Sequence, residues 1–247
     1  MNKTKSIFFA LSIGILIWSG VFPKDQLTWF LEVFPSFIGL PILIYLNKKY
    51  GVSTSLFIVF CLHSMILSVG GHYTYAEVPA GFWFQEYFNL SRNHYDRLGH
   101  FFQGVTPALI AYDYFKREKI VIAKIWIKFI PVAIALAFSA LYEMFEWWTA
   151  ISTGEAATAF LGTQGDVWDT QWDMFMALFG ASFAMILLAF HRDKKNLLDQ
   201  TLNHKKMKNG SDVHKNMKNF MIAKIFWIEF GPFQSITNRS SRIGEAS

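Results

Sequence analysis

Six stretches of the chain are apolar over lengths that suit a bilayer crossing: residues 6–22, 27–46, 53–71, 98–115, 125–148 and 169–190. A helix needs about 20 such residues to traverse the hydrocarbon. The first three and the fifth are continuous. The fourth, LGHFFQGVTPALIAYDYF, is interrupted by His100, Gln103 and Asp113, and the sixth becomes continuously apolar only after Asp173. Pro35, Pro41, Pro107 and Pro131 fall inside these stretches, where neighbouring helices can satisfy the carbonyls that a proline frees. The pattern predicts an all-α polytopic membrane protein with six transmembrane helices over residues 1–192.

The connecting segments orient those helices. Lys3, Lys5, Lys48, Lys49, Lys116, Arg117, Lys119, Lys124, Lys128, Arg192, Lys194 and Lys195 fall on one side, against Lys24, Arg92 and Arg97 on the other. Excess Lys and Arg marks the cytoplasmic side, so both termini are expected there, in a bacterial inner membrane. Residues 193–247 are polar and basic at first (DKKNLLDQTLNHKKMKNG), which predicts a poorly ordered cytoplasmic tail able to touch anionic lipid. The closing FMIAKIFWIEFGPF contains Lys224 and Glu229 and is too short for a seventh crossing. It reads as an interfacial helix or an unstructured end.

Composition agrees with this reading. Of 247 residues, 53% are hydrophobic and only 17% charged, against roughly 25% charged in ordinary soluble domains. The N-terminus has the basic start and apolar core of a signal peptide but no small-x-small cleavage pattern before the next charges, so it is expected to be a retained first span. Cys61 is the single cysteine and excludes an intrachain disulfide. Nothing in the pattern suggests a nucleic-acid partner; the lipid bilayer is the expected environment, and the oligomeric state is left open.

Charge then singles out the outer side. Eleven acids map there (Asp25, Glu32, Glu77, Glu86, Asp96, Glu143, Glu146, Glu155, Asp166, Asp169 and Asp173) against three bases, a formal excess of eight negative charges. Seven tryptophans also map to that side (Trp18, Trp29, Trp83, Trp147, Trp148, Trp168 and Trp172), with Trp126 alone at the inner edge. An aromatic belt accounts for part of this, although a belt would populate both interfaces.

Four segments bring ionisable groups to one depth. His72 closes the third span, Asp96 and His100 are four apart in YDRLGHFFQG, and Glu143 and Glu146 are three apart in SALYEMFEWW. Asp166, Asp169 and Asp173 open the sixth in GDVWDTQWDMF, and Glu32 joins from the second. Helical spacings of three and four place each set on one face. Crowded carboxylates either raise one another's pKa or recruit a cation, and with imidazole they form a ligand set for Mg²⁺, Mn²⁺, Zn²⁺ or Fe. The candidate metal ligands are His72, Asp96, His100, Glu143, Glu146, Asp169 and Asp173, with Glu143, Asp173, His100 and Asp96 as the candidate catalytic groups and a divalent metal ion as the implied cofactor. Simpler roles compete. Asp169 suits a helix N-cap, Asp166 a turn after Gly165, and Glu146 a headgroup-level carboxylate. His63 suits a hydrogen-bonded core position, and Arg92 and Arg97 suit salt-bridge partners.

The motifs YTYAEVPAG, RNHYDRLGHFFQG, YEMFEWW and GTQGDVWDTQWDM resemble, in order, those of the YjdF-like family of bacterial inner-membrane proteins, over roughly residues 6 to 192. That resemblance implies a six-span inner-membrane protein and no particular activity. A fainter similarity is to the VanZ-like family, carried by Asp96, His100, Glu143, Asp169, Asp173 and Gly180, with Glu146 and Trp147 departing from the usual pattern. Three functions remain. One is a metal-dependent hydrolase or transferase acting on a lipid or envelope precursor. The others are a transporter or channel for a cation or cationic solute, and a non-catalytic sensor or partner.

Overall fold

The computed structural model describes residues 1–120, 123, 125–153 and 163–208, with side chains described as far as residue 189. All regular structure among them is helical: α1 Lys3–Ser19, α2 Gln26–Tyr50, α3 Thr54–Tyr73, a 3₁₀ turn Tyr75–Glu77, α4 Pro79–Tyr87, α5 Tyr95–Glu118, α6 Trp126–Thr153 and α7 Asp169–Lys208. The chain divides into one compact unit, Met1–Ala189, and a second from Phe190 onward.

Among the described residues four helices are long and apolar enough to cross a membrane: α2, α3, α6 and the Asp169–Ala189 part of α7. α1 has 17 residues, and α5 carries Asp96, Arg97, Asp113, Lys116, Arg117 and Glu118 within one helix. Both pack inside the same unit: α1 lies against α3, and α5 lies between α3 and α6. The sequence places the elements well but not their ends. α6 runs a full turn past Trp148, and α4 was not anticipated, because YAEVPAGFWFQEY looks like a loop too short to cross. α7 continues as helix through the polar stretch to Lys208, past the domain boundary expected at 192. No glycine or proline lies between Gly180 and Gly210 to stop it. Residues 209–247, including FMIAKIFWIEFGPF, lie outside the described residues, as do Lys124 and Glu155.

Side-chain caps start three helices. Asn2, Asp25 and Ser53 accept from the backbone N–H three residues on, at 2.9, 2.7 and 3.2 Å. Such caps satisfy donors that a helix start leaves open. Pro35, Pro41, Pro107 and Pro131 all sit within continuous helices, as expected where neighbours supply the missing support.

Leu, Val and Phe fill the core among α1, α2 and α3, whereas between α5, α6 and α7 it is built largely of small residues. One cluster joins α5, α6 and α7 through Val105, Ala108, Ala135, Ala181, Ala184 and Met185. Two glycines set how closely α5 and α7 approach. A methyl group at Gly104 would sit on the carbonyl of Ala177, and one at Gly180 on the carbonyl of Phe101. Small residues at such contacts are how membrane helices gain packing area when lipid tails are as apolar as side chains. Large residues point outward, with Phe129, Phe138, Phe179 and Ile186 all half exposed or more, as a lipid-facing surface requires.

Polar side chains tie the two ends. At the basic end the Lys5 ammonium, buried near the start of α1, donates to Asn47 Oδ1 at 2.8 Å and to the Val52 carbonyl. Arg117 reaches from α5 to the carbonyls of Tyr50 at 2.6 Å and Gly51 at 3.3 Å. At the opposite, acidic end the Lys24 amide donates to the His72 carbonyl at 2.9 Å, and Lys24 pairs with Glu77. The start of α1, the α2–α3 turn and the end of α5 thus share one end, as the alternating spans require.

Candidate functional site

The acidic end carries a roof of short connections. Asn93, fully buried, donates to the Val78 carbonyl at 3.0 Å and accepts from the Tyr95 amide at 3.0 Å. Gln164 closes onto it from the segment before α7, accepting from the Asn93 amide and donating to its carbonyl at 3.1 and 2.8 Å. Gly81 is required beside this knot, because a side chain there would overlap the Asn93 amide.

Two arginines on that roof take up two of the three aspartates. Arg92 lies 2.7 Å from Asp169 and 3.3 Å from Asp166, and also donates to the Thr163 carbonyl at 3.0 Å. Arg97 stands 3.5 Å from Asp166, with its guanidinium 4.9 Å from the Trp172 ring. All three contacts of Arg92 fall on Nη1, and its Nε and Nη2 are buried without hydrogen-bond partners. His94, between them, is held below its ordinary value near 6.5 by partial burial and by the charges of Arg97 and Arg92.

The remaining acids converge on His100. Its Nε2 lies 3.4 Å from Asp96 Oδ1 on the same helix face and 3.8 Å from Asp173 Oδ1 on α7. Its Nδ1 lies 2.7 Å from Gln103 Oε1 and 3.8 Å from Glu143 Oε1 on α6. His100, Asp173 and Glu143 are only 5%, 2% and 7% exposed, which makes their charges costly without partners. Asp173 Oδ1 and Glu143 Oε1 nonetheless have no hydrogen-bond donor, and among the described residues no lysine or arginine reaches them. The Gln103 contact fixes the ring with Nδ1 on one side and Nε2 turned toward Asp96 and Asp173. That is how a second residue orients a metal-binding imidazole.

Two sets of donor atoms within 4.8 Å of one another follow: Asp96, His100 and Asp173, and His100, Glu143 and Glu146. Divalent cations, with ligand distances of about 2.0–2.6 Å, hold donor atoms at separations of this order. Five of the seven metal-ligand candidates read from the sequence are therefore brought together. The other two lie elsewhere. Asp169 is held by Arg92, and His72 turns toward α1, with Nδ1 3.0 Å from the Ser19 carbonyl and its ring stacked 4.4 Å from Trp18. His63 lines the cavities below the cluster, and its Nε2 is buried without a hydrogen bond.

Beside His100 opens a cavity of about 300 Å³, bounded by Glu32 and Pro35 of α2, His63 of α3, Asp96 and Gln103 of α5, and Tyr142 and Glu146 of α6. The Tyr142 hydroxyl donates to Glu32 Oε2 at 2.9 Å, joining α2 to α6. Tyr75 also lines this cavity, and burial, reinforced by Glu32, pushes its hydroxyl well above the ordinary value near 10, so it stays a neutral donor. The sequence reading missed Tyr75 and Tyr142. The only available signal was that Tyr142 lies one helical turn from Glu146.

A protein of Escherichia coli (strain K12), "Inner membrane protein YjdF", is 49% identical over 178 residues, 72% of this chain and 85% of the relative. No solved structure matches the chain. The VanZ-like resemblance draws no support from these comparisons. The family described as "Predicted membrane protein (DUF2238)" matches residues 4–194, which span every motif quoted above as well as the whole His100 cluster. The chain is an inner-membrane protein and belongs to the DUF2238 family.

Proposed function

We propose that the chain is a metal-dependent hydrolase or transferase acting on a lipid or envelope precursor at the outer leaflet of the bacterial inner membrane. The observation that supports this is the pair of buried, donorless carboxylate oxygens, Asp173 Oδ1 and Glu143 Oε1, each 3.8 Å from the His100 ring. An orphaned buried carboxylate costs of order 1–3 kcal/mol or more, and a cation between such groups removes that cost. In this reading α1 and α5 cross with the other four helices, both termini are cytoplasmic, and the acidic end faces outward, as the Lys and Arg bias requires.

Asp96, His100 and Asp173 would hold the ion, with Gln103 fixing the imidazole. A bound divalent ion supplies an activated water and polarises a phosphoryl or carbonyl oxygen. It also inverts the local charge, which an anionic substrate needs at so acidic a mouth. Glu143, whose Oε1 has no hydrogen-bond donor, lies on the opposite side of His100 and is placed to take a proton there. Glu146, Tyr142 and Tyr75 line the adjoining cavity and would orient the substrate.

A cation pathway is less well supported. Between the outer cluster and the basic end the cavities offer His63 alone, and Asp113 below it is bonded to Arg117 at 2.6 Å. A sensor role predicts the cluster without turnover. Elemental analysis of the purified full-length protein tests the proposal: a stoichiometric divalent ion is expected, lost in Asp173→Asn and in His100→Gln. Absence of any bound ion, together with no measurable affinity for added Mg²⁺, Mn²⁺ or Zn²⁺, overturns it.

A further inference from the structure

Three cavities run down one side of the bundle. The first, beside His100, shares Pro107 and Phe138 with a second of about 520 Å³, which in turn shares Phe60 and Ile110 with a third of about 270 Å³ near Arg117. They form one groove with α3 and α5 as its floor and α2 and α6 as its lips. From His100 to Arg117 the floor helix rises about 26 Å, close to the roughly 30 Å of a bilayer's hydrocarbon. In the middle cavity the walls are apolar apart from His63, Tyr114 and a few short hydroxyls, while exposed Ile42 on one lip and exposed Phe138 on the other leave the side open to lipid.

The two ends of this groove differ in chemistry. The middle of the groove offers little to a polar solute, and Asp113, Arg117 and Glu118 bound its lower end. The upper end offers the carboxylates of Glu32, Asp96 and Glu146, all acceptors when ionised. An occupant that suits both is an amphipath with a long alkyl chain and a head rich in hydrogen-bond donors.

We propose that the groove is a lateral binding site for a lipid, its chain lying between α2 and α6 and an amine- or hydroxyl-bearing head group seated against Glu32, Asp96 and Glu146. The inference names the substrate class of the site proposed above. It rests on that reading for the chemistry performed on the lipid, and on the groove alone for binding. Lipid enters sideways from the leaflet, so no aqueous path to the site is needed, and the head group arrives beside His100.

Full-length protein in phosphatidylcholine vesicles doped with a diazirine-tailed phosphatidylethanolamine tests this, with crosslinks mapped by mass spectrometry. Labelling is expected on Phe60, Ile110 and Phe138. Unlabelled phosphatidylethanolamine should compete about ten-fold better than phosphatidylcholine, a ratio that hydrogen bonds to charged acceptors provide. Ala111→Phe and, independently, Ile42→Trp should abolish groove labelling while leaving that of Phe179 and Ile186 unchanged. Glu32→Gln with Glu146→Gln should erase the head-group preference. Uniform labelling of all lipid-facing residues, indifferent to both groove variants, overturns the inference. The same labelling repeated in EDTA separates the two proposals: groove crosslinks that persist in a protein found to bind no metal retain the lipid site and remove the metal chemistry.

Discussion

At the residue scale, the site is a contest for too few cations. Arg92 and Arg97 serve Asp166 and Asp169, which leaves Asp96, Glu143 and Asp173 around one imidazole. Spacing along the helices made these residues legible in the sequence, because Asp96 with His100, and Glu143 with Glu146, fall on single faces. Hydropathy gives the depth of a side chain but not its rotation about the bundle. His72 has the right depth and turns to Ser19; Asp169 has the right depth and is taken by an arginine 77 positions away in sequence. The pairing of Arg92 yields a prediction. Both partners are almost fully buried, so Arg92→Ala leaves Asp169 without its counter-charge and should destabilise the protein by about 3 kcal/mol. Arg92→Lys should rescue part of this, since all three contacts fall on the single nitrogen Nη1 and an ammonium restores the charge on a shorter side chain. Thermal unfolding followed by tryptophan fluorescence in detergent reads both; an unchanged midpoint for the alanine variant contradicts the assignment.

At the element scale, the six apolar stretches predicted six crossing helices; a helix lies over each stretch, and among the described residues four of them are long and apolar enough to cross. α5 is the least apolar of them, and it contributes Asp96, His100, Gln103 and the floor of the groove. What marred its hydropathy is what equips the site. The closeness of α5 to α7 brings Asp173 to His100, and Gly104 and Gly180 set that closeness. Their packing role was not legible in the sequence, because the backbone that each glycine faces lies some 70 to 80 positions away. Gly104→Val should push the helices apart, destabilising the protein by about 1–3 kcal/mol. It should also weaken binding of a divalent ion in calorimetric titration even where the protein remains folded. Gly14→Ala, at a glycine with open space around it, is the control and should do neither.

At the scale of the whole molecule, the alternation of chain direction is the strongest result that sequence alone delivered. The start of α1, the α2–α3 turn and the end of α5 meet at one end, while the α1–α2 turn, the end of α3 and the residues flanking α5 and α7 meet at the other. Alkaline phosphatase fusions after residues 24, 92 and 166 should therefore be active, and fusions after residues 50 and 120 inactive; the reverse pattern would turn the cluster inward and remove the outer-leaflet assignment. The roof over the acidic end was not legible, since Asn93 and Gln164 recognise one another by hydrogen bonds between loops that hydropathy reads only as gaps.

The anchoring of Lys5 and Arg117 bears on how that orientation is probed. Both residues contribute to the charge bias that steers insertion, yet each is also stitched to carbonyls of the turn between α2 and α3. Neutralising either would cut a rivet as well as shift a signpost. Inversion experiments therefore belong at Lys3, Lys48 and Lys116, where a loss of protein can be ascribed to misdirected insertion and not to a bundle that has come unfastened.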